Sequence, residues 1–355
     1  MQAAPLSPDH PAPLLLTPDG ETSAAAAVDW AAAHAGEIQA LVERAGVALI
    51  RGFEVATPED FRAVCAAIEP ELKTYAGGDS PRSGVADKVY TSTEYDASLE
   101  VLLHNELSYA GWSPRLVFFG CLVAAESGGE THLADGREIY RALPDAIRRR
   151  FEEKGIVYLQ HLWDADGAPG VGKSWQETFE TEDRAAVEAY LARSGMAWDW
   201  TDFGLRTRAP HDAVVTHPKT GERCWWNQAD QWHRDIAGVK TSFGAADDPR
   251  FDPRTAGEET LGNHVIYGDG SEIAVEDLMQ VRAVGRSLEI AFPWEAGDVM
   301  VIDNILAQHG RLHTIIENLP CRTPTGVKGL DVTAHHRFQF LVRAQPTQTM
   351  SSTIS

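Results

Sequence analysis

The sequence contains no C-x-x-C pair. Its four cysteines, Cys65, Cys121, Cys224 and Cys321, are widely scattered, which argues against a zinc knuckle and fits a reducing cytoplasm. Positive charge is scarce: 31 Lys and Arg stand against 52 Asp and Glu, for a net charge of −21. That balance argues against nucleic acid and anionic membranes as partners. No apolar run approaches the ~20 residues needed to span a bilayer. The opening stretch, Met1 to Glu21, is rich in Pro and Ala and has no basic segment, so it does not read as a secretory signal. Neither an internal repeat nor a convincing linker is present. The chain has 355 residues, 43% of them hydrophobic. That length suffices for a large core, as one elaborated domain or two small ones.

The chemistry concentrates at His104-Asn105-Glu106. On an extended segment, side chains at i and i+2 share a face, so an imidazole and a carboxylate there can address one ion. An isolated H-x-E occurs often by chance, and here a second histidine changes its meaning. Gly297-Asp298 makes a turn, Val299 to Ile302 an apolar run, and a polar loop then delivers His309. Two histidines and one carboxylate from distant parts of the chain make a facial triad that suits Fe(II) and leaves coordination positions open.

The organisation follows from caps and periodicity. Residues 1–24 read as a loose leader. Ala25 to Ala45 reads as a helix that Gly46 ends, and Val47 to Ile50 as a buried strand. Thr57-Pro58-Glu59-Asp60 starts a second helix. Leu116 to Val123 is a core strand, in which Cys121 acts as a small hydrophobe. Gly128-Gly129 leads to Thr131, whose hydroxyl would reach whatever the backbone approaches. Asp135 to Glu153 is a helix interrupted at Pro144, and Ser174 to Phe179 reads as an aromatic loop. His233, beside Trp232, reads as a packed histidine rather than a ligand. Residues 247–263 and 312–334 read as inserted loops, the second a candidate lid. In the last strand, Arg337, Gln339, Leu341 and Arg343 share one face. The expectation is a single domain over 25–344 with a tail at 345–355, built as a mainly β double-stranded β-helix (jelly roll) with flanking α-helices.

Several strings together carry a resemblance. They are His104-Asn105-Glu106-Leu107-Ser108-Tyr109, Gly128-Gly129-Glu130-Thr131, Ser174-Trp175-Gln176-Glu177, His217-Pro218-Lys219-Thr220-Gly221-Glu222, Trp226-Asn227-Gln228, and Asp303-Asn304 with His309-Gly310-Arg311. From about residue 40 to 343 the chain resembles the taurine dioxygenase-like (clavaminate synthase-like) family of Fe(II)/2-oxoglutarate oxygenases, in a subgroup related to the syringomycin-pathway aspartate hydroxylase. The resemblance implies His104, Glu106 and His309 as iron ligands. It places Thr131 on the distal carboxylate of 2-oxoglutarate, with an arginine whose planar fork binds that carboxylate bidentately. By strand context the arginine is Arg337; by spacing after the distal histidine it is Arg322. The implied reaction consumes O2 and 2-oxoglutarate, releases succinate and CO2, and hydroxylates an unactivated C–H of a small amino acid or amino-acid-derived metabolite, free or carrier-bound. Desaturation, epoxidation and cyclisation use the same cofactors. A carboxylate at position 106 argues against halogenation, since a halide needs that coordination site. Candidate substrate contacts are Tyr75, Arg82, Asn105, Arg311 and Arg343. The sequence leaves the oligomeric state open.

Overall fold

The computed structural model describes residues 1–8, 10–73, 78, 84–91, 100–125, 128–167, 173–236, 262–312 and the strand at 339–346. Arg322, Arg337, Tyr75, Arg82 and most of the two expected insertions lie outside the described residues.

The chain opens with β1 (Gln2–Ser7) and β2 (His10–Thr17). The expected loose leader is therefore corrected to a strand pair: β1 pairs antiparallel with β2, and β2 runs parallel to β3 (Val47–Ile50). Pro5, Pro11 and Pro13 suggested otherwise, but Pro5 lies on the edge strand β1, and Pro11 and Pro13 precede Leu14–Leu16, the part of β2 that pairs with β3, so no central ladder needs their amide hydrogens. Helix α1 (Ala24–Ala45) is capped by Ser23, whose hydroxyl accepts from the Ala26 amide, and ends at Gly46 with φ 83°. Helix α2 (Pro58–Ile68) has a complete capping box between Thr57 and Asp60. Short strands β4 (Leu72–Lys73), β5 (Gly84–Ala86) and β6 (Val89–Thr91) follow. Next come β7 (Val101–His104), β8 (Pro114–Cys121), β9 (Thr131–Asp135), α3 (Gly136–Ala142) and α4 (Asp145–Lys154). Pro144 separates the two helices as expected.

The middle of the chain carries β10 (Ile156–Trp163), α5 (Trp175–Phe179), α6 (Arg184–Arg193), β11 (Ala197–Trp200), β12 (Gly204–His211), β13 (Val214–Thr216), β14 (Arg223–Trp225) and α7 (Ala229–Trp232). The aromatic loop expected at 174–179 is instead the short helix α5. Ser174 and Glu177 form its reciprocal capping box, a signal present in the sequence but hidden among aromatics. The last elements are β15 (Asn263–Tyr267), α8 (Val275–Leu288), β16 (Ile290–Ala291), β17 (Val299–Asp303), β18 (Ala307–Arg311) and β19 (Gln339–Pro346).

The architecture is a jelly roll with flanking helices. One large sheet runs β1-β2-β3-β17-β8-β19-β6-β5 and a smaller one runs β16-β9-β18-β7. Alternate residues of the large sheet's central strands belong to two different cores. Val47, Leu49, Val117, Phe119, Met300 and Ile302 pack with Leu133 and Ala307 of the small sheet. Ala48, Ile50, Leu116, Phe118, Val299 and Val301 pack under α1 and α2. Burial on both faces explains why these strands read as continuous apolar runs rather than alternating ones. At Gly120, an added Cβ would lie 2.6 Å from the Phe61 ring, so glycine there lets α2 sit close on the sheet. A separate four-stranded sheet, β11-β12-β10-β15, carries the largest aromatic core, with Trp225, Trp232, Tyr158 and Phe151.

Candidate metal centre

Strand β18 lies between β7 and β9, and its register sets His309 opposite both His104 and Leu133. The two imidazole centroids are 4.5 Å apart. Glu106, just past the end of β7, completes the group: its Oε2 lies 3.8 Å from His104 Nε2 and 3.6 Å from His309 Nε2. One ligand atom from each of the three side chains falls within 4.8 Å of the others. Ligand bonds of ~2.0–2.2 Å put two donors on one ion up to ~4 Å apart, so the set fits a single divalent ion. Glu106 and His309 are each 2% exposed, and His104 is only partly buried, which leaves the centre accessible from the β7 edge.

The local hydrogen bonds suit that use. His104 Nδ1 lies 2.9 Å from the Leu102 carbonyl. A carbonyl requires a hydrogen at Nδ1, so the Nε2 lone pair is left facing Glu106 and His309. The edge of the Phe119 ring packs against His309 at 5.0 Å and restricts the imidazole from the large sheet. Gly310 has no room for a side chain: a Cβ would meet His132 Nε2 at 2.1 Å and the Val101 carbonyl at 2.3 Å.

Beneath the centre lies a belt of buried amides. Asn304, with 0% exposure, accepts from the Glu106 amide through Oδ1 at 2.7 Å and donates through Nδ2 to the Glu106 carbonyl at 2.9 Å and the Pro114 carbonyl at 3.0 Å. Asn105 donates to the Asn304 carbonyl at 2.7 Å and accepts from Gln308 at 3.1 Å. Asn105, expected as a substrate contact, is fully buried and its amide bonds within the fold. Gln231 donates to the Leu103 carbonyl at 2.6 Å. Asp303 takes the amides of Ile305 and Leu306 and lies 3.2 Å from His217 Nε2, tying the 217–222 turn under β18. Directly after Glu106, Leu107 adopts φ 56°, a left-handed conformation uncommon for a bulky side chain.

Thr131 opens β9 opposite Arg311, so both lie on the face that carries His309. The Thr131 hydroxyl accepts from the Trp294 indole at 3.2 Å. In β19, the register sets Gln339, Leu341 and Arg343 opposite Cys121, Phe119 and Val117, the residues of β8 that line the space between the sheets.

A second cluster went unread in the sequence. His233, His264 and Glu272 also bring one ligand atom each within 4.8 Å. Glu272 Oε2 lies 3.1 Å from His264 Nε2 and 3.8 Å from His233 Nε2. Burial lowers the pKa of both imidazoles, that of His264 to about 4 with its His233 neighbour adding to the effect.

Comparisons with known proteins agree with this geometry. A model of the taurine catabolism dioxygenase TauD, TfdA family matches residues 9–318. The dapdiamide synthesis protein DdaC of Enterobacter agglomerans is 33% identical over 275 residues, covering 77% of this chain and 80% of that protein. A clavaminate synthase-like protein of Arabidopsis thaliana is 28% identical over 280 residues, covering 77% and 79%. The fold is shared with a taurine dioxygenase from Burkholderia xenovorans, at a TM-score of 0.50 and 16% identity over 97% of this chain and 88% of that one. It is shared as well with AAD-2, solved with Mn(II) and N-oxalylglycine, at a TM-score of 0.51 and 12% identity over 98% and 99%.

Proposed function

Because the chain belongs to the taurine catabolism dioxygenase TauD, TfdA family, we propose that this iron- and 2-oxoglutarate-dependent dioxygenase hydroxylates an unactivated C–H bond of a small amino acid or amino-acid-derived metabolite. The observation that carries the reading is the meeting of His104, Glu106 and His309 across the β7–β18 pair. The likeness to DdaC, a dapdiamide synthesis protein, supports an amino-acid-like substrate, either as the small molecule itself or tethered to a carrier.

When bound, iron and 2-oxoglutarate supply the oxidising power, as decarboxylation to succinate and CO2 accompanies transfer of one oxygen atom of O2 to the product. His104, Glu106 and His309 would hold the iron, which would supply coordination positions for 2-oxoglutarate and O2. The Leu102 carbonyl keeps His104 in the tautomer that can coordinate. Phe119 and the apolar layer between the sheets exclude water from the His309 side. Thr131 offers its hydroxyl to the distal carboxylate of 2-oxoglutarate. Arg337, with Arg322 the alternative, would pair its planar fork with that carboxylate. Arg311, on the His309 face, and Tyr75, Arg82 and Arg343 are the substrate contacts to test.

The test is a screen of amino acids and carrier-bound aminoacyl groups for succinate formation with Fe(II), 2-oxoglutarate and O2, using His104→Ala as control. Substrate-dependent succinate together with a product that has gained one oxygen supports hydroxylation. A product that has lost two hydrogens reassigns the reaction to desaturation. Succinate formation that no amino-acid-like compound stimulates overturns the substrate class.

A further inference from the structure

Asn304 grips the backbone on both sides of Glu106. The geometry points to Asn304 as a positioning residue that sets the direction of the Glu106 carboxylate before any metal arrives. This inference rests on the reading of Glu106 as an iron ligand. A primary amide is the side chain that can serve a peptide N–H and a peptide C=O together, as a neighbouring strand would. Here its oxygen takes the Glu106 N–H at 2.7 Å, and its nitrogen serves the Glu106 and Pro114 carbonyls at 2.9 and 3.0 Å. Glu106 lies just beyond the end of β7.

Asn304 is itself immobilised. Its amide donates to the Arg115 carbonyl at 2.9 Å. Its carbonyl accepts from Asn105 at 2.7 Å and from the Trp226 indole at 3.0 Å. The clamp thus ties the ligand backbone to β8 and to the turn before β18. The left-handed Leu107 that follows is a conformation that persists only when its surroundings over-determine it, and the grip on the Glu106 carbonyl fixes the peptide entering it. Without the clamp, the Glu106 peptide could rotate and its carboxylate would leave the 3.6–3.8 Å approach to the two imidazoles.

Asn304→Ser keeps one hydrogen bond of the three, and Asn304→Asp keeps the acceptor but sets a carboxylate oxygen against two carbonyls. Titration of each purified apoprotein with Mn(II), an oxygen-stable probe, should show a dissociation constant raised ~10–100-fold, the usual effect of losing a contact behind a metal ligand. Ser174→Ala, which removes the N-cap of α5 and whose hydroxyl bonds to Glu177 in the capping box, controls for stability: its melting temperature should fall while its Mn(II) affinity holds. A folded Asn304→Ser protein with Mn(II) affinity within about twofold of the parent overturns the inference. Hydrogen exchange on the unaltered apoprotein tests it independently of any variant. The Glu106 amide should be protected without metal, and exchange as fast as in an exposed loop overturns the inference. If Glu106→Ala itself leaves Mn(II) affinity unchanged, the ligand reading fails instead, so the two failures are distinguishable.

Discussion

Among the described residues, two clusters join two histidines and one glutamate, and the hydrogens behind their rings set their chemistry apart. At the first, His104 Nδ1 faces the Leu102 carbonyl, so a lone pair is left on Nε2. At the second, the backbone amides of Asp235 and Arg234 donate to Nδ1 of His233 and of His264, at 3.3 Å each. Those rings therefore carry their hydrogens on Nε2, which turns N–H donors toward Glu272. The carboxylates differ as well. Glu106 is buried and gripped by Asn304, whereas the Glu272 side chain is 59% exposed and shared with Arg234. Proximity of three donor groups is thus insufficient for a metal site, because the partner on the far side of each ring selects cation or anion.

The comparison breaks most easily at its ligands. His309→Ala should lower Mn(II) affinity by more than the ~10–100-fold typical of outer contacts and abolish succinate formation. His264→Gln should leave both within about twofold. Equilibrium dialysis should accordingly find one tight Mn(II) per chain, and two equivalents of similar affinity would show that the second cluster also accepts a cation. Gly310→Ala forces a methyl group into His132 and the Val101 carbonyl. It should cost ~1–3 kcal/mol in a denaturant titration and weaken Mn(II) binding, since it displaces the strand that bears His309.

The second cluster should instead report on pH. Burial holds the His264 pKa near 4 against an ordinary value of 6.5, and that of His211 near 4 as well. Between pH 6.5 and about 4 the unfolded chain binds these protons and the folded chain does not. Their stabilising contribution is therefore complete above pH 6.5 and is lost as pH falls through that window. His264→Gln should flatten the acid limb of a plot of unfolding midpoint against pH, and an unaltered slope would mean that the imidazole is already charged in the fold. The smallest effect belongs to Glu272→Gln: with its side chain mostly exposed, the loss should stay under ~1 kcal/mol at neutral pH, read as a small shift in urea midpoint.

Legibility in the sequence followed the same division. The approach of His104 and Glu106 was readable because residues two apart on an extended segment share a face, and the distant His309 gave that weak pair a third donor. Helices α1 and α2 were readable from the periodic run that Gly46 ends and from Thr57-Pro58-Glu59-Asp60, each a local signal. Helix α5 carried an equally local signal at Ser174 and Glu177, which its aromatics obscured. The β1–β2 pair was hidden because its prolines fit only where no partner strand needs their amide, and where that is so is a property of the whole sheet. Asn304 could be quoted as part of a resemblance, but its role, like that of Gln308, depends on contacts to residues far away in the chain. His264 and Glu272 meet His233 across a segment of unrelated sequence, where spacing carries no information.

The pairing of His104 with His309 has a mechanical consequence. Asn105 and Asn304, beside those two strands, are 199 residues apart. An ion held by the proposed ligands would rivet an early segment to a late one. The entropy of closing so long a loop grows only logarithmically with length, and the strand ladder already closes it, so the rivet would add firmness rather than direct folding. At a concentration 100 times its dissociation constant, such an ion would add about 2.7 kcal/mol to stability. Chelation should then slacken the seam at β7, the border strand of the small sheet, while the helix-backed sheet keeps its hydrogen-exchange protection.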